Sequence, residues 1–168
     1  TAQHHFRIAA IESTQQVFLP YYLPMLINQA PGVTLEYFNW QEDSLRSLER
    51  GDVDLGMTAR DDDDRSFVSL GKLPKRIRQV TLAEEPLVCL MRDQHPALAD
   101  ACWDLKQYLN WGHVQVRCEG NDRWLLDQEL EQRGLWRNIV LTLPDFQAAL
   151  SAACSSDLIF TTTRSFAH

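Results

Sequence analysis

The most reactive side chains in this 168-residue sequence are five histidines, four cysteines and a run of four aspartates, Asp61 to Asp64. Nucleophilic catalysis needs a Ser or Cys beside a His base, with an acid to orient that base. The histidines do not supply this. His4, His5 and His168 stand at the chain ends, His95 precedes Pro96 in an expected turn, and His113 opens an apolar strand. No Gly-x-Ser-x-Gly elbow, Gly-rich phosphate loop or HExxH is present. The expectation is a non-enzyme with no cofactor.

Cys89, Cys102, Cys118 and Cys154 show neither CxxC nor zinc spacing. Scattered cysteines on apolar segments act as small buried hydrophobes in a reducing compartment, which points to the cytoplasm. Cys118, in a polar loop beside Arg117, is the thiol whose reactivity would signal a redox sensor. Four consecutive aspartates cannot all face one cation, so Asp61 to Asp64 reads as a solvated loop with Arg60 paired to it.

A net charge of −7 argues against nucleic-acid binding by this chain, since phosphate neutralisation needs clustered cations. The only dense basic stretch, Lys72, Lys75, Arg76 and Arg78, surrounds a proline and reads as a solvated surface segment. No apolar run is long enough to cross a bilayer, so no membrane partner is expected. The start, Thr1 to His5, resembles neither an export signal nor a natural beginning, and a fragment of a longer protein is expected.

The elements that would position polar groups follow from the apolar runs. Phe6 to Ile11 reads as a buried strand, followed by a helix whose regular part is expected to start late or bend at Pro20 and Pro24. Val33 to Phe38 is a second strand, Ser44 to Arg50 a helix closed by Gly51, and Val53 to Ala59 a third strand. The second half repeats the pattern. Leu87 to Met91, Val114 to Arg117, Ile139 to Leu143 and Leu158 to Thr162 read as strands. Helices are expected from Trp103 to Leu109, from an Asp122 cap to Arg133, and from an Asp145 cap to Ala153. The fold expected is α/β, with two doubly wound, Rossmann-like lobes and a hinge near Glu84-Glu85-Pro86.

In such sheets ligands bind outside the carboxyl ends of the strands, where helix N-termini offer free amides. The matching positions are Ser13 and Thr14, Trp40 to Glu42 with Gln41, Thr58 and Arg60 in the first lobe. In the second they are Cys118 to Asn121, Asp145 with Phe146, and Thr161 near the hinge. Each has a purely structural counterpart. Ser13, Thr14 and Asp145 can simply cap helices, and Phe146 can be core.

Several segments carry a family resemblance in their order and spacing. They are Phe6 to Thr14 (FRIAAIEST), Ala30-Pro31-Gly32-Val33, and Leu48 to Gly56 (LERGDVDLG). Glu85-Pro86-Leu87-Val88 and then His95-Pro96-Ala97-Leu98-Ala99 follow. Together they resemble the effector-binding region of LysR-type transcriptional regulators. His113 to Val116, Gly134 to Arg137, Leu143 to Phe146 and Ser156 to Ile159 are similar to the branch controlling nodulation and aromatic catabolism. Asp145 stands where that branch commonly has His, and Thr163 where it has Pro. The first departure would disfavour an anionic ligand. Gln41 stands where the family tends to have Ser or Thr.

The resemblance implies a fold like that of type 2 periplasmic binding proteins. Residues 1–84 would form lobe I and 85–164 lobe II, with 165–168 starting a return that leaves lobe I incomplete. It implies a small-molecule effector in the interlobe cleft and self-association as a homodimer or tetramer. DNA would be bound only through a winged helix-turn-helix that this chain lacks. A periplasmic-type solute-binding protein, which shares the architecture, is the alternative.

Overall fold

Ile8, Ala9 and Ala10 are almost wholly buried at the end of strand β1 (His4–Ala10), the centre of a three-stranded sheet. In the computed structural model, which describes residues 3–99 and 102–167, β2 (Val33–Asn39) and β3 (Leu55–Met57) flank β1, both parallel to it, in the order β2-β1-β3. The connections are helices α1 (Glu12–Gln29) and α2 (Ser44–Arg50). Gly51 ends α2 at a φ of 77°, a left-handed cap that glycine adopts without a Cβ clash. Asp54, in the segment that then enters β3, accepts the Arg7 amide at 2.8 Å and pairs with its guanidinium.

Two features of this first sheet and its helices differ from expectation. α1 runs without interruption through Pro20 and Pro24. Both prolines, and Gln16 one turn before them, are exposed, so the carbonyls left without an amide donor can be hydrated. β3 is also shorter than the apolar run suggested, at three residues.

The chain divides into two units between Ala83 and Glu84. The second has strands β4 (Leu87–Leu90), β5 (Gly112–Val116), β6 (Asn138–Leu143) and β7 (Leu158–Thr163), in the order β4-β7-β5-β6. β4 is antiparallel to β7, and β5 runs parallel to both of its neighbours. Helices α3 (Leu105–Asn110), α4 (Leu125–Gln132) and α5 (Phe146–Cys154) complete it.

One face of this sheet packs Ile159 with Tyr108 and Leu130. The other packs Phe160 with Phe146 and Phe166, and the fully buried Ala149 and Ala153 let α5 lie close. The turn Ser165–Ala167, where a return to the first lobe was expected, thus places Phe166 in the core of the second unit. Asp122 does not cap α4. It pairs with Arg117, and the helix starts three residues later. His95 fixes the His-Pro segment: its Nδ1 accepts the Ala97 amide at 3.1 Å, so Nε2 carries the proton and donates to the Asp157 carbonyl. Expectations placed on Thr1, Ala2 and His168 fall outside the described residues.

Candidate functional site

The three parallel strands of the first unit end together. Ala10 is in register with Asn39 and Met57, the Trp40 amide donates to the Ala10 carbonyl, and the Ile11 amide donates to Met57. α1 begins here, with Ile11 as its cap residue and no side-chain cap bond. The Gln15 amide donates to the Ile11 carbonyl at 3.1 Å, so the helix N-terminus, with its partial positive charge, lies at the strand ends. Ser13 is 8% exposed, and among the described residues nothing binds its hydroxyl. Thr14 does not cap the helix either. Its hydroxyl donates to the Ile11 carbonyl at 2.7 Å and reaches Met57 at 3.4 Å.

The neighbouring strand ends supply an aromatic ring and a cation. Trp40 lies over Gly56, where a Cβ would meet the indole at 2.7 Å, and the Arg60 guanidinium sits 5.5 Å from the ring centroid. Gln41 uses its backbone to bracket Ser44, its amide donating to the Ser44 hydroxyl at 2.8 Å, and its side chain is exposed. Thr58 donates to its neighbour, Ala59. Ser13, Thr14, Trp40, Gln41, Thr58 and Arg60 therefore follow the carboxyl ends of one small sheet.

The acidic run forms a loop with Asp62 and Asp64 exposed, as expected, and its carboxylates are also bonded within the loop. Asp61 accepts the Ser66 hydroxyl, Asp64 accepts Ser69 at 2.9 Å, and Asp63 pairs with Arg65, which lowers its carboxyl to a pKa of about 2. Among the described residues no cluster of His, Cys, Asp or Glu has the arrangement to hold a metal ion.

In the second unit, Cys118 and Asn121 bond each other's backbones at 2.9 and 2.8 Å, closing a tight loop after β5. Gly120, at a φ of 74°, turns that loop. Burial, with Glu119 adding to it, pushes the Cys118 thiol up to about 11, and burial raises Cys89 as well. Burial thus disfavours the thiolate at both positions. Asp145 caps α5, accepting the Ala148 amide at 2.6 Å. Phe146 lies in the aromatic core, and Thr161 is buried, its hydroxyl 2.8 Å from the Tyr108 hydroxyl.

Sequence reasoning missed a buried polar array beneath this loop. The Arg137 guanidinium forks onto Asp127 at 2.8 and 2.7 Å and also binds the Gln115 side chain. Gln115 within the apolar segment His113 to Val116 was the available signal, a polar side chain on a buried strand.

The profile of the LysR substrate binding domain matches residues 1–168. The HTH-type transcriptional regulator YidZ of Salmonella newport (strain SL254) is 36% identical over 166 residues, covering 97% of this chain and 51% of that protein. This chain thus spans about half the length of the curated relatives it matches. The crystal structure of the probable transcriptional regulator PA0477 from Pseudomonas aeruginosa superposes with a TM-score of 0.85 at 30% identity. That alignment covers 99% of this chain and 54% of the other. The regulatory domain of MexT, a transcriptional activator in Pseudomonas aeruginosa, shares the fold at a TM-score of 0.77 and 24% identity, over 99% of this chain and 76% of that one.

Proposed function

This chain belongs to the LysR substrate-binding domain family, and from that premise we propose that it senses a small-molecule effector for a cytoplasmic transcriptional regulator. The observation that carries this reading is the strand-end cluster of the first unit. The N-terminus of α1, the Ser13 hydroxyl with no partner among the described residues, and the Trp40–Arg60 stack all follow the carboxyl ends of its strands. A helix N-terminus, a hydroxyl and a ring-backed cation suit a small polar ligand with a hydrogen-bond acceptor. In the second unit, the Cys118–Asn121 loop and the Asp145 cap occupy the same position relative to their strands. The Asp145 carboxylate is engaged by the Ala148 amide, which reduces its repulsion of an anionic ligand.

Output would arise by population shift. A ligand that binds one arrangement of the domain more tightly biases it in proportion to that difference in affinity. DNA contact in the whole regulator belongs to a segment outside this chain. The solute-binding alternative is not favoured, because the matched relatives are transcriptional regulators.

Self-association supplies the route from ligand to DNA. A groove of about 400 Å³ between α1 and β2 is lined by Leu19, Leu23, Leu26, Val33, Leu35 and Tyr37. Tyr21, Met25 and Ile27 stand exposed on the same helix. An apolar face of this kind is suited to cover by a second copy.

The test is a thermal-shift screen of the chain against small carboxylic and aromatic acids. A binder that prefers the folded state raises the midpoint with concentration. Saturable stabilisation that disappears in Ser13→Ala supports the site. Stabilisation unaffected by Ser13→Ala places the ligand elsewhere.

A further inference from the structure

We propose that Arg137 is a positioning residue for the loop between β5 and α4, the loop that carries Cys118 and Asn121. Its functional meaning rests on the effector reading above.

Arg137 stands immediately before β6, and its side chain is only 2% exposed. The guanidinium sends Nε to Asp127 Oδ1 at 2.8 Å and Nη2 to Asp127 Oδ2 at 2.7 Å. It also donates to the Gln115 side-chain oxygen on β5. Asp127 is the point of leverage, because the same Oδ2 accepts the Trp124 amide at 3.1 Å, at the first turn of α4. The Trp124 indole in turn donates to the Val116 carbonyl, the last residue of β5, at 3.0 Å.

The loop from Arg117 to Arg123 must therefore leave and return to points that Arg137 holds together. Within it, the Cys118 and Asn121 backbones pair, and the Asn121 side chain accepts the Arg123 amide at 2.8 Å. Glu119 and Gly120 both take left-handed conformations, at φ of 49° and 74°. A hairpin this tight has one geometry for one base width, and the Arg137–Asp127 fork sets that width. Two of the effector positions expected in the second unit, Cys118 and Asn121, thus lie on a loop anchored through one buried cation. Lysine, a point charge without a fork, cannot hold Asp127 and Gln115 together in this way.

Amide hydrogen exchange on the 168-residue chain tests this without any ligand. In Arg137→Met the amides of Cys118, Asn121, Arg123 and Trp124 should exchange roughly tenfold faster, while those of β1 and β7 stay within about twofold of the parent. Arg137→Lys should leave the loop unprotected although it keeps the charge. Asp127→Asn should reproduce the local pattern, and these two variants carry the test if Arg137→Met does not fold. Acceleration spread evenly through β5, β6 and β7 would make Arg137 a core-stabilising residue only and overturn the proposal. An unchanged loop in Arg137→Lys and Asp127→Asn would overturn it as well. Because the readout needs no effector, its failure is separate from a failure to find any binder.

Discussion

Ser13 and Asp145 were each expected either to cap a helix or to meet a ligand, and the structure treats them differently. Ser13 makes no cap bond and lies buried at the strand ends. Ser13→Ala should leave the unliganded melting temperature nearly unchanged and remove the ligand-induced rise, which paired thermal scans would show. Asp145 holds the Ala148 amide, so Asp145→Ala should cost about 1 kcal/mol whether or not a ligand is present. Asp145→Asn keeps the acceptor and should cost little. Greater loss with ligand than without would give Asp145 a contact as well as a cap. His113 supplies a pH dependence. Burial lowers its pKa to about 4, with Nε2 donating to the Tyr108 carbonyl at 3.0 Å. The unfolded ring titrates near 6.5, so between these values the folded chain binds fewer protons. The stability contributed by the neutral ring is full above pH 6.5 and falls as the pH drops toward 4, by roughly 3 kcal/mol in all. Urea midpoints across that window should decline, and His113→Phe should flatten the decline. An equal slope in both proteins would remove His113 as its source.

Among the elements, the order of strands and helices was legible because apolar runs and glycines punctuate the chain. Gly51 ends α2 as read, and Asp145 caps α5 as read. The strand-end positions followed from that order. Local pattern was insufficient where a distant partner decides. α1 continues through two prolines because their side faces solvent, which no short window reveals. α4 starts at the Trp124 anchor on Val116 instead of at the Asp122 cap. The Arg137 array joins Gln115 on β5 to Asp127 on α4, and only the polar Gln115 hinted at it. β3 offers a direct check on the Trp40 stack. A Cβ at Gly56 would meet the indole at 2.7 Å and Leu48 Cδ1 at 2.8 Å. Gly56→Ala should destabilise by about 1–3 kcal/mol through overpacking. It should also displace the Trp40 indole, which shows as a change in near-UV circular dichroism. A variant with parental stability and spectrum would mean that the ring does not pack as described.

This chain consists of two α/β units, each presenting its loops at the carboxyl ends of parallel strands, in a family of transcriptional regulators. None of the described helices is long and apolar enough to cross a membrane. The groove beside α1 gives an assembly prediction. Ile27→Glu should shift the chain to monomer in sedimentation velocity, and an unchanged distribution would place the interface elsewhere. The first measurement to make is a titration of the chain, and of Ser13→Ala beside it, with the best stabiliser from an acid panel, followed by calorimetry. Saturable binding by the parent chain and at least about tenfold weaker binding by the variant, equivalent to 1.4 kcal/mol, is the predicted result. Equal affinity in the two proteins would contradict an effector site built on the start of α1.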